Sequence, residues 1–384
     1  MKSKVGYSVL EDSFSCGQEA AKNAAKELSP KLCMLFSSVV LNQGELIKGV
    51  KSSVGNIPIV GCTSSGAIIV PDGYIDNAKG YAGILAFDGD IKVGVAGREK
   101  GANAREVGAQ IAEDALKNAG MDKAPDYFYM VANPGEEEMY LKGIEDVIGR
   151  VPFFGGSAAD NTLEGKWQIF ANDKIFSSGC AVAFFYAGNE CKTEYTGAYE
   201  ETDKVGVITK IDGRKLVEIN NIPALEQYSK WSGKPIDKLL GGSLLVETIL
   251  APLGVKDPIG SVTAIRHPMN GNDDKSMNIG SNLSVNTAVT MMKGSPDGLI
   301  ASTGNTLKNL KSAMSKTPAA FLLVHCGGRR LAVLDRMAEV HKSILKEAGD
   351  IPFIVIFTFG EYGYADHSAN TCGGLMLSFT GFSK

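Results

Sequence analysis

The chain has 384 residues, of which 44% are hydrophobic and 21% are charged, as is typical of a soluble globular protein. Its formal net charge of −4, without a basic stripe, argues against general binding to nucleic acids or anionic membranes. No apolar run approaches the roughly 20 residues of a membrane span, and the N-terminal MKSKVGYSVLEDSF lacks the apolar core of a secretory signal. We therefore expect a cytoplasmic protein.

The cysteines and histidines form no recognisable metal or disulfide pattern. Seven cysteines are an odd number and contain no CxxC pair, which predicts a set of reduced and mostly buried thiols. The four histidines form no HxH or HExxH motif and no cluster with cysteine. We expect neither a metal nor another cofactor.

The first quarter of the chain is predicted to follow the order β-α-β-α-β-β-β. A helix at 18–28 is rich in alanine, and a helix at 42–54 has apolar residues at helical spacing. A turn-rich connection lies at 71–79. The predicted strands are 5–10, 32–36, 57–60, 67–70 and 81–87.

The same order is predicted again in the second quarter. Helices are predicted at 104–118 and 136–149, each with an apolar face. The predicted strands are 91–96, 127–131, 151–155, 166–171 and 180–186. This repetition predicts duplicated subdomains, about 1–87 and 88–187.

A different segment follows, and then a third unit. The segment 205–280 begins with a hairpin around Asp212-Gly213-Arg214, followed by a helix from Pro223, strands within 241–251 and 260–267, and an exposed loop at 270–275. The third unit, 283–384, is predicted to have strands at 284–293, 320–326, 352–359 and 372–379 and helices at 302–315, capped by Ser302 or Thr303, and 334–348. We expect two domains, 1–190 and 191–384.

Repeated units with near-continuous apolar strands predict an α/β (α+β) fold. Such strands are buried on both faces, so we expect a layered sandwich in which helices cover the sheets. Periodicity does not specify the strand order.

One strand of each unit runs into a small polar loop. The three stretches are 57–66 (IPIVGCTSSG), 151–160 (VPFFGGSAAD) and 351–361 (IPFIVIFTFGE). Glycine at a strand end permits close approach of the backbone to a ligand. Because the residues beside the glycines are Cys62, Gly156 and Glu361, we interpret the loops as three contributors to one small-molecule pocket.

The residue types of these loops suggest a zwitterionic ligand. Arg329 or Arg330 could bind a carboxylate bidentately, and Asp160 or Glu361 could accept from an ammonium group. Structural alternatives stay open: Asp160 and Asn161 as turn formers, one arginine that faces solvent or pairs with Asp335 or Glu339, and Glu361 as the partner of an arginine.

Cys62 has its own alternatives. It could be a nucleophile, a ligand contact or a small residue that fills a tight turn. A nucleophile would need a nearby cation, for which His325 or the two arginines are the candidates.

These loops carry a family pattern, and the chain resembles the FIST family of sensory domains. The pattern includes Gly-Cys-Thr-x-x-Gly at 61–66, Gly-Gly-Ser-Ala-x-Asp at 155–160, Cys-Gly-Gly-Arg-Arg at 326–330 and Phe-Thr-Phe-Gly-Glu at 357–361. The chain departs from the family at Tyr362 and at Asn370-Thr371, which lacks a middle residue. The predicted ligand-binding residues are Cys62, Thr63, Ser64, Ser157, Asp160, Asn161, Arg329, Arg330, Thr358, Glu361, Asn370 and Thr371.

The resemblance implies a cytosolic sensor that binds a small molecule, an amino acid among the candidates, and performs no catalysis. With no room for a fused output domain, we expect output through a separate signalling protein or through self-association. The alternatives are an enzyme with a cysteine nucleophile, Cys62 or Cys326, and a protein-binding scaffold.

Overall fold

A computed structural model of the chain describes residues 1–256, 263–364 and 369–384. Part of the strand predicted at 260–267, and part of the loop that contains His367, lie outside the described residues. The prediction of an α/β (α+β) fold with helices against sheets is confirmed.

The first two units have the same order of elements, with one strand more than predicted. The additional strand in the first unit is β5, within the connection predicted at 71–79. The first unit comprises β1 (Lys2–Ser8), α1 (Ser13–Ala25), β2 (Leu32–Ser37), α2 (Gln43–Val54), β3 (Ile59–Thr63), β4 (Ile68–Val70), β5 (Gly73–Ile75) and β6 (Ala82–Asp88). The second comprises β7 (Lys92–Glu99), α3 (Ala104–Ala119), β8 (Tyr127–Ala132), α4 (Glu137–Ile148), β9 (Phe153–Ser157), β10 (Ile169–Ala171), β11 (Lys174–Phe176) and β12 (Gly179–Tyr186).

The third unit is interrupted after its first strand, which differs from the prediction. Its first strand is β13 (Cys191–Thr196), which pairs with the last strand of the chain. The strand predicted at 284–293 is shorter and lies in a separate inserted sheet.

The inserted segment contains β14 (Glu200–Asp212), β15 (Lys215–Ile219), β16 (Ile222–Pro223), α5 (Ala224–Ser232), β17 (Gly242–Ser243), α6 (Leu245–Thr248), β18 (Leu253–Lys256), β19 (Thr263–Arg266), β20 (Pro268–Gly271), β21 (Met277–Ile279) and β22 (Ala288–Lys293). The third unit resumes with α7 (Pro296–Ala313), β23 (Pro318–Cys326), α8 (Gly327–Ala332), α9 (Met337–Ala348), β24 (Phe353–Thr358), β25 (Glu361–Gly363), β26 (Thr371–Gly373) and β27 (Leu377–Ser383).

Helix α7 begins earlier than predicted. Its N-cap is Ser295, whose side chain accepts from the Gly298 N–H, and Pro296 occupies the first turn. Proline suits this position because its missing N–H would have no partner within the helix. Ser302 and Thr303, predicted as caps, lie inside the helix and donate to the Leu299 carbonyl.

The three units exchange hairpins in a cycle. Hairpin β4–β5 of the first unit pairs with β24 of the third, and β25–β26 of the third pairs with β9 of the second. Hairpin β10–β11 of the second unit pairs with β3 of the first and closes the cycle. Each unit's sheet is therefore completed by its neighbour, and the loops between β3, β9 or β24 and the following hairpin lie at the centre.

The inner faces of the three sheets share one hydrophobic core. Phe382 packs edge-on against Phe87 and Phe154, and Phe185 stacks on Tyr127. Aromatic pairs of this kind join sheets that are distant in sequence. The outer faces are covered by α1 and α2, by α3 and α4, and by α7 and α9, each pair with its own buried cluster.

The inserted sheet has a core of its own, built from residues such as Ile208, Leu225 and Val289. Segments of this insert, including α6 and β20, lie over one end of the three-unit core. Within the described residues, no helix is both long and apolar enough to cross a membrane.

Candidate ligand-binding site

A cavity of about 190 Å³ lies where the inserted segment covers the three-unit core. Its lining is mostly apolar, with a few polar groups that converge on it, as is usual for small-molecule sites. The core contributes Ser65, Asn161, Thr162, Leu163, Cys326, Gly327, Gly328, Arg330, Leu331, Phe359, Gly374 and Leu375. The insert contributes Leu245, Ile249, His267, Met269 and Gly280.

The three polar strand ends do meet at the centre, but in a different register from the one predicted. The parallel pairings β2–β3, β8–β9 and β23–β24 place Thr63, Ser157 and Thr358 at equivalent positions. The equivalents of Cys62 are therefore Gly156 and Phe357, and Glu361 belongs to the following hairpin.

Backbone hydrogen bonds join the strand ends in a ring. The Ala159 N–H donates to the Thr63 carbonyl, and the Ser157 N–H donates to the Gly360 carbonyl. The Ser65 N–H donates to the Phe357 carbonyl, which completes the ring. The polar loops thus hold the three units together.

The hydroxyl groups of these ends are buried and already have partners. Thr63 Oγ1 accepts from the Gln168 N–H at 2.9 Å, and Ser157 Oγ lies 3.0 Å from Tyr362 Oη. Ser64 Oγ accepts from the Phe357 N–H at 2.9 Å and donates to the Ala67 carbonyl at 2.6 Å. The structure does not bring Thr63, Ser64 or Ser157 to the cavity wall.

In two of the units, the structure explains why a glycine precedes the polar strand end. Gly61 has φ +154°, and a Cβ there would lie 1.8 Å from the Leu35 carbonyl oxygen on the neighbouring strand. Gly155 has φ +141°, and its Cβ would lie 1.9 Å from the Met130 carbonyl oxygen. These glycines allow two strands to approach each other, in contrast to the predicted approach to a ligand.

Cys62 lies in the hydrophobic core, away from the cavity. Its side chain is fully buried beside Tyr129, and burial raises the pKa of its thiol to about 12. Neither His325 nor the two arginines act on it, which leaves a neutral core thiol.

Asp160 organises the loop that forms one wall. Its buried carboxylate accepts from the backbone N–H groups of Thr162, Leu163 and Lys166 at 3.0, 2.5 and 2.7 Å. The adjacent Asn161 Oδ1 accepts from the Gly66 N–H at 3.0 Å, and the residue lines the cavity. Asp160 is therefore fully engaged by the backbone, as in an Asx-type loop.

The two arginines point in different directions. Arg330 lines the cavity; its Nε donates to Tyr74 Oη at 2.9 Å, and its guanidinium lies over the Tyr74 and Phe357 rings at 5.7 and 5.6 Å. The guanidinium of Arg330 fits here because residue 66 is glycine, at φ +68°; a Cβ at this position would lie only 2.9 Å from Arg330 Nη1. No carboxylate among the described residues forms an ion pair with Arg330.

Arg329 is fully buried outside the cavity. Its Nη2 donates to Ser302 Oγ at 2.6 Å and to the Leu299 carbonyl at 3.1 Å. Of the alternatives left open, an ion pair of Arg329 or Arg330 with Asp335 or Glu339 is not formed, and Glu339 pairs instead with Arg336.

Glu361 lies behind the cavity wall. Its Oε1 accepts from Thr358 Oγ1 and its Oε2 from the Met376 N–H, each at 2.9 Å. The carboxyl is fully buried, and this burial raises its pKa to about 8. The charge of Glu361 acts on the thiol of Cys326, which borders the cavity.

Asn370 and Thr371 are not brought to this cavity. Asn370 Nδ2 donates to Glu145 Oε1 at 2.7 Å and to the Val151 carbonyl at 3.2 Å, at the edge of the second unit's sheet. Thr371 follows it in β26, and both residues line a separate cleft beside α4.

Several cavity residues escaped prediction because they lie on the insert. His267 is 6% exposed, its Nε2 pairs with the Leu245 carbonyl at 3.1 Å, and burial lowers its pKa to about 4. His267 is therefore neutral near pH 7. Nothing in the spacing of Leu245, Ile249 or Met269 indicated that the insert folds over the strand ends.

Family models match almost the whole chain. One described as the FIST N domain matches residues 31–222, and one described as the FIST C domain matches residues 224–364. A curated relative from Methanocaldococcus jannaschii, named "Uncharacterized protein MJ1623", is 27% identical over 250 residues, which are 59% of this chain. The match covers 46% of that relative, so the chain spans less than half of its length.

Solved structures with similar arrangements are remote. Cyanuric acid hydrolase from A. caulinodans has 9% identity and a TM-score of 0.39, with 100% of this chain and 99% of that chain covered. Phosphoribosylformylglycinamidine synthase II from Thermotoga maritima has 11% identity and a TM-score of 0.22, with 99% and 72% covered. At these scores neither match carries an argument.

Proposed function

Because this chain belongs to the FIST family of small-ligand sensory domains in signalling, we propose that its ligand occupies the cavity beneath the insert and is a small organic acid. The observation that carries the proposal is Arg330. Its guanidinium borders a mostly apolar cavity and, within the described residues, has no carboxylate partner. A carboxylate is the group that such a fork binds best.

The cavity supports an acid with an apolar body more strongly than a zwitterion. No Asp or Glu side chain is among its described lining residues, and the Asp160 carboxylate is held by three backbone N–H groups. An ammonium group would therefore depend on neutral acceptors such as Ser65 or backbone carbonyls. The residue types of the loops predicted amino-acid binding. We now expect an amino acid to bind no more tightly than the matching acid that lacks the ammonium group.

Calorimetry with a matched pair of ligands tests this proposal. We expect 4-methylpentanoate to bind at least as tightly as leucine, which differs from it by the ammonium group. Arg330→Gln should weaken carboxylate binding by about 1.5–3 kcal/mol, or about 10- to 150-fold in Kd, because it removes a charged hydrogen-bond partner.

Arg98→Gln is the control, since Arg98 forms an exposed ion pair with Asp114 outside the cavity. Equal binding of a carboxylate by wild type and Arg330→Gln would refute the role of Arg330. Much tighter binding of leucine would favour an amino-acid sensor. The cytoplasmic location, a separate signalling partner and self-association stay predictions of the same proposal.

A further inference from the structure

His267 is a polar side chain that the insert contributes to the cavity. It is 6% exposed, and its Nε2 lies 3.1 Å from the carbonyl oxygen of Leu245, another cavity residue of the insert. A carbonyl oxygen can only accept, so Nε2 carries the proton of this hydrogen bond. The insert itself therefore fixes the tautomer of the ring.

The other ring nitrogen, Nδ1, is left as a hydrogen-bond acceptor. No described Asp or Glu side chain lines the cavity to balance an imidazolium, and burial lowers the pKa of His267 to about 4, so the ring is neutral. A neutral ring with a proton on Nε2 has a lone pair on Nδ1. Within residues 1–256, 263–364 and 369–384, His267 forms no hydrogen bond through Nδ1.

This unused acceptor indicates a donor that the chain does not supply. Buried polar groups in proteins normally have a hydrogen-bond partner. Water that enters the cavity can pair with Nδ1, but an apolar ligand group in the same place cannot. A ligand that fills the cavity therefore binds best when it donates to this nitrogen.

Two glycines leave open space beside the ring. Gly327 and Gly328 belong to the cavity lining. A Cβ at Gly328 would lie 3.8 Å from His267 Cε1, the ring atom bonded to Nδ1, and a Cβ at Gly327 would lie 3.4 Å from Ser65 Cβ. A ligand group above Gly328 thus contacts the imidazole of His267.

The core supplies donors to the same cavity. Arg330 lies against Gly66, where a Cβ would be 2.9 Å from its Nη1. The preceding residue, Ser65, is 8% exposed, and its hydroxyl group forms no hydrogen bond with the described part of the chain. Arg330 and Ser65 suit a carboxylate, whereas His267 suits a donor.

We propose that the ligand is a hydroxy acid, and that His267 Nδ1 accepts a hydrogen bond from its hydroxyl group while Arg330 binds its carboxylate. This deepens the proposed function and rests on it, because the cavity and Arg330 are the same. A hydroxyl group suits this place better than an ammonium group, which would lose its hydration near the Arg330 guanidinium without a carboxylate among the described lining residues.

The volume of the cavity sets the size of the acid. A cavity of about 150 Å³ can hold benzene, so the 190 Å³ here hold roughly six to nine non-hydrogen atoms. A six-carbon acid with one hydroxyl group has this size.

Calorimetry with matched acids tests the proposal. The probes are 4-methylpentanoate and its 2-hydroxy and 3-hydroxy derivatives, each of which adds one hydroxyl group. We expect at least one derivative to bind about tenfold or more tightly than 4-methylpentanoate, because the plain acid buries Nδ1 without a partner.

Three variants assign the difference to His267. His267→Phe keeps an aromatic ring without an acceptor, and it should remove the preference for the hydroxyl group while 4-methylpentanoate still binds. His341→Phe is the control and should retain the preference, since His341 Nε2 also pairs with a backbone carbonyl at 3.1 Å, that of Pro71, but lies outside the cavity lining. Arg330→Gln should weaken all three acids by a similar factor, because it binds a different group of the ligand.

Nitrogen-15 NMR of the imidazole rings in wild type decides the question if His267→Phe does not fold. We expect His267 to be the Nε2–H tautomer. Its Nδ1 resonance should lie further upfield in the complex with the tighter hydroxy acid than in the complex with 4-methylpentanoate, and equal positions would refute the hydrogen bond.

Equal binding of the plain acid and both hydroxy acids by wild type would overturn the proposal, as would a preference that persists in folded His267→Phe. An equal loss of all three acids in that variant would also overturn it, because His267 would then act on the carboxylate or on the shape of the cavity. Tighter binding of leucine than of both hydroxy acids would assign His267 to an ammonium group instead. The first three outcomes leave the proposed function intact, whereas failure of every acid to bind would refute the proposed function itself.

Discussion

Gly61 offers the sharpest test of what the first polar loop does, because Gly73 provides a control with almost the same φ angle. Their φ angles are +154° and +156°, so alanine should introduce similar backbone strain, of about 1–3 kcal/mol, at both. A Cβ at Gly73 has no heavy atom within 4 Å, whereas at Gly61 it lies 1.8 Å from the Leu35 carbonyl oxygen.

The steric difference sets the magnitude. Real Cβ atoms stay at least 3.0 Å from such an atom, so β2 and β3 would have to separate by 3.0 minus 1.8, or about 1.2 Å. Both strands are fully buried, and they pair in parallel from Cys33 with Ile59 to Ser37 with Thr63. Forcing them apart adds about 3 kcal/mol or more to the strain, so Gly61→Ala should lose over 4 kcal/mol.

Urea unfolding of the two variants, followed by circular dichroism, measures this difference. We expect Gly73→Ala to lose about 1–3 kcal/mol and Gly61→Ala to be poorly folded or far less stable. Equal losses in the two variants would refute the steric explanation. A stable Gly61→Ala that fails only in ligand binding would restore the interpretation that this glycine serves a ligand.

Two other substitutions probe the buried carboxyl groups. Asp160→Asn should lower the free energy of unfolding by about 2–4 kcal/mol, because the amide nitrogen cannot accept from the Lys166 N–H. Amide hydrogen exchange should then be faster at Thr162, Leu163 and Lys166. Unchanged protection of these three amides would contradict this explanation. Glu361→Gln should remove a pH dependence of stability. The pKa of Glu361 is about 8 in the folded chain against about 4.3 when unfolded, so the native state keeps a proton that the unfolded state loses, and wild-type stability falls as pH rises between these values. Other buried groups such as Glu137 and His267 also titrate in this range, so urea unfolding at pH 5 and pH 8 should show a larger fall in wild type than in Glu361→Gln, and equal changes in both proteins would refute the role of Glu361.

Much of the local structure was predictable because each element carries its own signal. The helices α3 and α9 show apolar residues at helical spacing, and buried strands such as β23 are continuous apolar runs. The repeat was visible in the order of these elements. The first strand of the third unit was missed because 191–196 is separated from its partner β27 by the whole insert.

The site was predictable only in part. Arg330 was identified as a candidate carboxylate ligand, and the structure places it on the cavity wall. Cys62 has the same local signature as a ligand contact, a thiol after glycine at a strand end, but its side chain faces the shared core. Whether a side chain at a strand end faces the core or a cavity depends on which sheet packs against that strand. The sequence of a single loop does not specify this packing.

The sequence by itself determined the repeated units, the apolar strands, the polar strand ends and the family, because all of these depend on residues close together in the chain. Tertiary structure decided which unit completes which sheet, since the hairpin exchange joins strands hundreds of residues apart, as β4 and β24 show. It also decided that the insert closes the cavity and that Cys326 and Arg330 line it, in place of Cys62. These outcomes follow from long-range packing of the three sheets around one core, which local patterns do not specify.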